Sequence, residues 1–442
     1  MAQHPAILKL REDIDELSSA IDSHRAILPD LLNRRGDARQ RLNFYLDPMA
    51  RLPLEIQSHI FLLVDGDSEN DLPKPAPRSP PMLFLNVCRL WRDIALSTPR
   101  LWTEIQLDSL PRGSDDSALC KLWLERPGNL PLSLTLHGSL KLEESVLDLL
   151  ASYGPRLEHL ALHVSLKGVQ LPWELQISEE LALPSLKTLS IELADFDGAY
   201  YGNMAEWLKL LRAAPQLSRC TMTNTFINAQ TLPLQPLTLR SLESLTLGQR
   251  GVTNMPGDAG SSSGAILVYL TLPALKTLIL PELDILAGEL FDFLSRSSPP
   301  LESLEMTLIH QPEELWLGPP VFELFRLVPT LTSLDLFALP GFAATDLFLP
   351  FIETLASPEV LPDLRDVKFH TLPPVTIDYT KLLSMLTSRA ASLECFELRF
   401  PEYLGSDHTR DLPTEGSEVR DGLRQLSRDG MKIHIGHAEN LL

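Results

Sequence analysis

The period of the hydrophobic positions changes twice along this chain. Ile7, Leu10, Ile14, Leu17, Ile21, His24, Leu28 and Leu31 follow the three–four spacing of a heptad seam, which continues weakly through Arg35, Ala38, Leu42 and Tyr45. Pro5 suits a helix start, while Pro29 and Gly36 are expected to bend or interrupt the helix. Three or four heptads make a marginal coiled coil. A stalk with weak self-association through residues 7–31 ranks first, and an antiparallel hairpin, a homodimer and packing against the next segment stay open. Arg34, Arg35, Arg39 and Arg41, with Asp30 and Asp37 among them, read as a solvated helix face rather than a phosphate-binding patch.

The next stretch also has helical spacing, in two halves. LPLEIQSHIF (52–61) places Leu52, Ile56, Ile60, Phe61 and Leu63 on one face, with Pro53 suited to a first turn. MLFLNVCRLWRDIALSTPRLW (82–102) repeats the spacing through Leu85, Cys88, Trp91 and Ala95, and Pro99 ends it. A polar, proline-rich insert, Asp65–Pro81, separates the halves. Helices this short cannot hold a core without neighbours or partners.

After Trp102 the period becomes two. TEIQLDS (103–109) and LPLSLTLHG (130–138) alternate as half-buried strands do, with a helix expected over Ser117–Glu125. A repeat then takes over, with the kernel Pro-x-Leu-x-x-Leu-x-Leu and apolar substitutes. Its first leucines are Leu157, Leu186, Leu217, Leu242, Leu275, Leu301, Leu331, Leu364 and Leu393. The gaps run from 25 to 33 residues, the upper range of leucine-rich repeats. Leucines two apart share one face of a strand, and only stacked parallel copies can bury that face. Parallel neighbours need crossovers, and helices are expected over 203–214, 288–297, 320–328, 346–356 and 378–390. The alternative is a different α/β layer fold with leucine-rich strands by chance. Residues 418–436 read as a last helix and strand, with Gly430 as the helix stop. NMPGDAGSSSG (254–264), the 65–81 insert and the tail 401–415 are expected to be irregular.

Two resemblances follow. LPLEI…IF, then NVCRLWRDIA, then LW resembles an F-box, the short helical module that docks on a Skp-type adaptor. Three separated elements occur in the right order, and the departure is the insert 65–81, longer than the usual inter-helix turn. The kernels resemble the degenerate leucine-rich repeats found behind F-boxes, as in fungal-type F-box/leucine-rich-repeat substrate adaptors. They lack a regular asparagine after the strand, so irregular curvature is expected. Together these imply an α/β chain: a heptad helix or coiled coil over 1–46, a three-helix F-box over 47–107, an irregular solenoid over 108–400, and a closing segment over 401–442. Strands would lie on the concave side of the solenoid and helices on the convex side.

Composition narrows the function. Of 442 residues 44% are hydrophobic and 22% charged, ordinary for a globular protein, and 442 exceeds one ordinary domain. The net charge of −20 argues against nucleic acid or an anionic membrane as the main partner. Cys88, Cys120, Cys220 and Cys395 show no metal or redox spacing. With a charged N-terminus and no glycosylation sequon, reduced thiols in the cytoplasm or nucleus are expected. HIGH (434–437) matches a synthetase signature in letters only, because it ends a terminal strand instead of opening a nucleotide-binding fold. GSSSG lacks the lysine of a phosphate loop. No catalytic constellation, cofactor or metal site is expected.

The resemblance implies a non-catalytic recognition subunit of a Skp–cullin–F-box ubiquitin ligase, in which the F-box binds the adaptor and, through it, cullin. Leu52, Pro53, Ile56, Ile60 and Phe61, with Val87, Cys88 and Trp91, are the expected docking positions, some of which, Trp91 especially, serve equally well as internal core. On the solenoid, non-leucine positions of the strands face the open side. Asp335, Phe337, Asp366, Lys368, His370, Glu397 and Arg399 are the candidate contacts to a protein client. The alternative is an interaction scaffold not coupled to ubiquitination. A hydrolase or transferase has little support.

Overall fold

The computed structural model describes residues 5–64, 80–107, 121–138, 150–165, 178, 180–194, 201–223, 226–228, 235–248, 263–281, 287–308, 321–338, 344–371, 377–400 and 417–436. The loop 254–262, the tail 401–415 and most of the 65–81 insert, all singled out above, lie outside these residues. The chain forms two compact units. One comprises 1–105 with 113–130, the other 106–112 with 131–442.

The first unit opens on helix α1, Pro5–Leu46. It runs unbroken through Pro29 and Gly36, where the sequence reading expects a bend. Proline removes only one helical hydrogen bond, and good helix formers surround both positions. A 3₁₀ turn (Pro48–Arg51) leads to α2 (Leu54–Val64), α3 (Phe84–Val87), α4 (Arg89–Leu96) and a second 3₁₀ turn (Pro99–Trp102). Polar side chains fix how these short pieces meet. Asp47 accepts from the Met49 amide at 2.9 Å and from Trp91 Nε1 at 2.7 Å. Buried Gln57 donates to the carbonyls of Met49 and Leu52 at 2.7 and 2.9 Å. Phe61, Phe84 and Trp91 form the aromatic centre, with Phe61 stacked on Phe84 at 4.2 Å and tilted on Trp91 at 5.1 Å. Trp102 is fully buried, donates from Nε1 to the Ala95 carbonyl at 2.9 Å, and meets Trp123 edge-on at 5.0 Å. Through Trp123, on the helical turn 121–125, that stretch packs with this unit.

The rest is an α/β leucine-rich-repeat solenoid. Among the described residues a long parallel sheet of twelve strands runs strictly in chain order. They are β1 (Glu104–Leu107), β2 (Leu132–Gly138), β3 (Leu157–Ser165), β4 (Thr188–Ala194), β5 (Arg219–Thr223) and β6 (Ser244–Leu247). The others are β7 (Thr277–Leu280), β8 (Ser303–Leu308), β9 (Ser333–Ala338), β10 (Asp366–Thr371), β11 (Cys395–Arg399) and β12 (Lys432–Gly436). The chain passes from one unit to the other within β1. β3 to β11 are the nine kernels, and all nine first leucines are at most 3% exposed. At about 1.5–3 kcal/mol per fully buried leucine, this face supplies most of the drive for stacking.

Register is locked just before each strand. The amide at kernel position four bonds the same position's carbonyl one repeat back: Lys187 to Glu158, Ser218 to Lys187, Glu243 to Ser218, and so on through Arg365, Glu394 and Lys432, at 2.8–2.9 Å. Opposite charges fall side by side on this ladder, giving Lys187–Glu158 at 2.9 Å, Lys276–Glu243 at 3.1 Å and Arg365–Glu394 at 3.4 Å.

The expected crossovers are α5 (Met204–Ala213), α6 (Ala287–Ser297), α7 (Ala344–Leu355) and α8 (Tyr379–Ser388). The fifth, expected as an α-helix over 320–328, is a 3₁₀ helix at Val321–Leu327. Pro319 and Pro320 precede this stretch in sequence and Pro329 follows it, so it cannot extend as a helix past Val328. The sequence suggests no helix before Leu242 or Leu275. Leu237–Thr238 pairs with Leu270–Thr271 there, and a 3₁₀ helix spans Ser263–Tyr269. α9 (Glu418–Arg428) precedes β12, and Gly430 takes the left-handed backbone (φ 114°) that ends it.

Two arginines, one of them buried, tie helix ends to the preceding repeat. Arg389, at the end of α8, is 2% exposed. It donates to the carbonyls of Leu355 (2.6 Å), Ser357 (2.6 Å), Leu361 (2.8 Å) and Val360. Arg296, in α6, does the same to Leu267 and Leu270 at 2.8 and 2.9 Å. Among the described residues no helix is long and apolar enough to cross a membrane.

Candidate interaction surfaces

The eight positions singled out in the first unit separate into two groups. Phe61 is buried and Trp91 half-buried in the aromatic centre, so they hold the helices together. Cys88 caps α4, its Sγ accepting from the Trp91 amide at 3.5 Å. Ile60 is half-buried. Leu52, Pro53, Ile56 and Val87 face solvent. They are joined there by Leu54, Leu63, Val64, Leu83 and Leu96, so the large apolar residues of this set are 37–61% exposed. Leaving that many aliphatic side chains wet in a unit this small is unfavourable, and exposed apolar surface of this kind marks an interaction site. Of the added residues, Leu63 lies on the face defined by Leu52 and Ile56. Leu54, Leu83 and Leu96 stand outside that period, and only the fold shows them exposed.

On the solenoid, all seven candidate client residues lie on the leucine-free face of three adjacent strands, β9, β10 and β11. Asp335 aligns with Lys368 and Glu397, Phe337 with His370 and Arg399, and Asp366 with Cys395. One row thus alternates acid, base, acid. The other joins two rings and a cation. Phe337 stacks on His370 at 4.0 Å with planes 6° apart. His370 Nε2 lies 3.0 Å from Asp335 Oδ1, close enough for an ion pair but off the angle a hydrogen bond needs. Arg399 Nη2 stands 2.6 Å from Glu397 Oε2 in the same manner. Glu397 and Asp366 also push the Cys395 thiol above its ordinary range, after burial, which contributes most. That holds Cys395 in its protonated form and makes it a poor nucleophile.

A second ringed cluster, missed by the sequence reading as a contact group, sits at the other end of the sheet. His137 stacks on His163 at 4.4 Å, and His163 Nδ1 lies 2.9 Å from Glu192 Oε2. The register that aligns His137, His163 and Glu192 could have been read from the kernels. Their stacking could not. Among the described residues no group of three or more His, Cys, Asp or Glu could hold a metal ion. Both clusters present flat rings beside charges, a surface suited to binding peptide groups.

Comparison with known proteins adds no family: no family model, curated protein or solved structure matches the chain. The solenoid-like repeat fold, typical of protein-interaction scaffolds, is what the fold establishes about function.

Proposed function

We propose that this chain is the substrate-recognition subunit of a Skp–cullin–F-box ubiquitin ligase. The 52–102 module would dock on a Skp-type adaptor, and the β9–β11 face would hold a protein client. The observation that carries this reading is the set of solvent-facing aliphatics on α2 to α4, in a module whose Phe61–Phe84–Trp91 centre is already filled. Those residues are surplus to the module's own core and need a partner. The subunit acts by proximity: it holds client lysines near a charged conjugating enzyme and raises their effective concentration. No bond-making residue of its own is required.

Pull-down of the full chain with a recombinant Skp-type adaptor tests this reading. Binding is expected, and Ile56→Asp or Val87→Asp should abolish it while leaving the fold intact, because both side chains are exposed. No binding by the intact chain would sink the proposal and leave the scaffold reading, for which the solenoid face suffices.

A further inference from the structure

α1 carries an apolar seam that, among the described residues, no element of its unit covers. Leu10, Ile14, Leu17, Ile21, Leu28 and Leu31 are all more than half exposed. A helix of this length in water is ordinarily stabilised by packing its apolar stripe. The rest of the unit meets α1 elsewhere. Arg89 Nη1 donates to Gln40 at 3.3 Å, and its other terminal nitrogen lies 3.7 Å from where a Cβ on Gly36 would stand. In the heptad frame that puts Ile14 at a and Leu17 at d, Gln40 and Gly36 are f and b positions. Pro29 is also a b position. The Arg89 contact and the proline therefore lie away from the seam, whose apolar residues from Leu10 to Leu31 are exposed.

Charge says what covers it. Residues 12–22 hold Glu12, Asp13, Asp15, Glu16 and Asp22 and no Lys or Arg, whereas residues 33–46 hold Arg34, Arg35, Arg39 and Arg41 against Asp37 alone. The helix macrodipole favours the same polarity, but its effect fades within a turn of each end, and Glu12 stands about two turns in. A parallel pair of α1 helices would set acidic half on acidic half and place Arg34 at g against the partner's Arg39 at e. An antiparallel pair sets acidic half on basic half. With Ile14 on the partner's Leu31, Leu17 falls on the partner's Leu28 and Ile21 on the partner's His24. Asp13 at g then meets the partner's Arg34 at g, and two-fold symmetry makes this contact twice.

We propose that α1 is a dimerisation element, pairing two copies of this chain as an antiparallel coiled coil through the Leu10–Leu31 seam. The inference does not depend on the adaptor reading. Because each first unit continues from the C-terminal end of its α1, the two copies leave the rod at opposite ends, about 60–70 Å apart. Two client faces in one particle would raise avidity for a repeated or oligomeric client without any new contact.

Sedimentation equilibrium of the full chain tests the stoichiometry. Twice the chain mass is expected, and Ile14→Asp with Leu17→Asp should give a monomer. Asp13→Arg and Arg34→Asp should each raise the dissociation constant about tenfold, and together should restore it, since both sites carry swapped partners. Orientation is read by oxidative cross-linking, with the disulfide mapped by mass spectrometry. Ile14→Cys and Leu31→Cys chains should link to each other when mixed and neither to itself. A monomer at about 100 μM, well above the micromolar range of a weak specific pair, would overturn the proposal. So would a 14–14 disulfide, which marks parallel pairing, or a dimer that survives Ile14→Asp with Leu17→Asp.

Discussion

Removing the Arg389 side chain should unlatch one repeat without unfolding the array. Its guanidinium reaches the Leu355, Ser357, Val360 and Leu361 carbonyls and is 2% exposed. Arg389→Ala strips the charged donor from all four. Charge-assisted bonds contribute about 1.5 kcal/mol each, but release of a desolvated cation and rehydration of part of the loop offset roughly half, leaving about 3 kcal/mol. Burial pulls the guanidinium's pKa down, which records that desolvation. Arg389→Lys keeps the charge on a group with three donors and no planar fork, so about 1–2 kcal/mol of loss is expected. Arg389→Met refills the space but supplies no donor, and should behave like alanine. Because each repeat touches only its neighbours, the loss should be local. Native-state hydrogen exchange is the assay: 3 kcal/mol corresponds to about a hundredfold loss of protection at β10 and β11, with β3 to β5 unchanged. An alanine variant with unaltered protection over 361–399 would refute the argument. A methionine variant as stable as wild type would show that the carbonyls find water unaided.

Phe61→Ala should cost about 3–5 kcal/mol in the first unit, since the ring is buried against Phe84 and Trp91, and Trp91 fluorescence should report the loss of that packing. Gly154→Ala should destabilise by about 1–3 kcal/mol in urea titration, because a Cβ there would stand 2.7 Å from the Ala182 carbonyl oxygen, a backbone atom with little room to yield. Burial pushes the Cys220 thiol up to about 12, from an ordinary value of 9.0. The unfolded thiol ionises first, so stability from this group is intact below pH 9 and falls as pH rises from there towards 12. Native protein at pH 9 should leave Cys220 unlabelled by iodoacetamide, with labelling appearing on denaturation.

The kernel leucines make the solenoid legible because their burial follows from a local rule. Period two puts alternate residues on one face, and the repeat guarantees that the next copy meets it, so Leu157 to Leu393 can be named as core from spacing alone. The same register placed Asp335, Phe337, Asp366, Lys368, His370, Glu397 and Arg399 on one face of three adjacent strands. What spacing could not give was which charges pair: His370 leans to Asp335, while Arg399 turns back along its own strand to Glu397. The first unit was less legible. Helical periodicity marks an apolar stripe but does not say whether neighbour or solvent covers it, so Phe61 and Ile56 look alike in sequence and only packing sends one inward and one outward. Arg389 shows the limit most sharply. An arginine at a helix end reads as a solvated charge complementing the helix dipole, and only the path of residues 355–361 turned four carbonyls towards it and made burial tolerable. Sequence by itself determined the repeat, its register and its buried face, because these rest on contacts between like positions in adjacent copies. Tertiary structure decided which apolar side chains stay wet and which polar ones are buried, because both depend on neighbours distant along the chain.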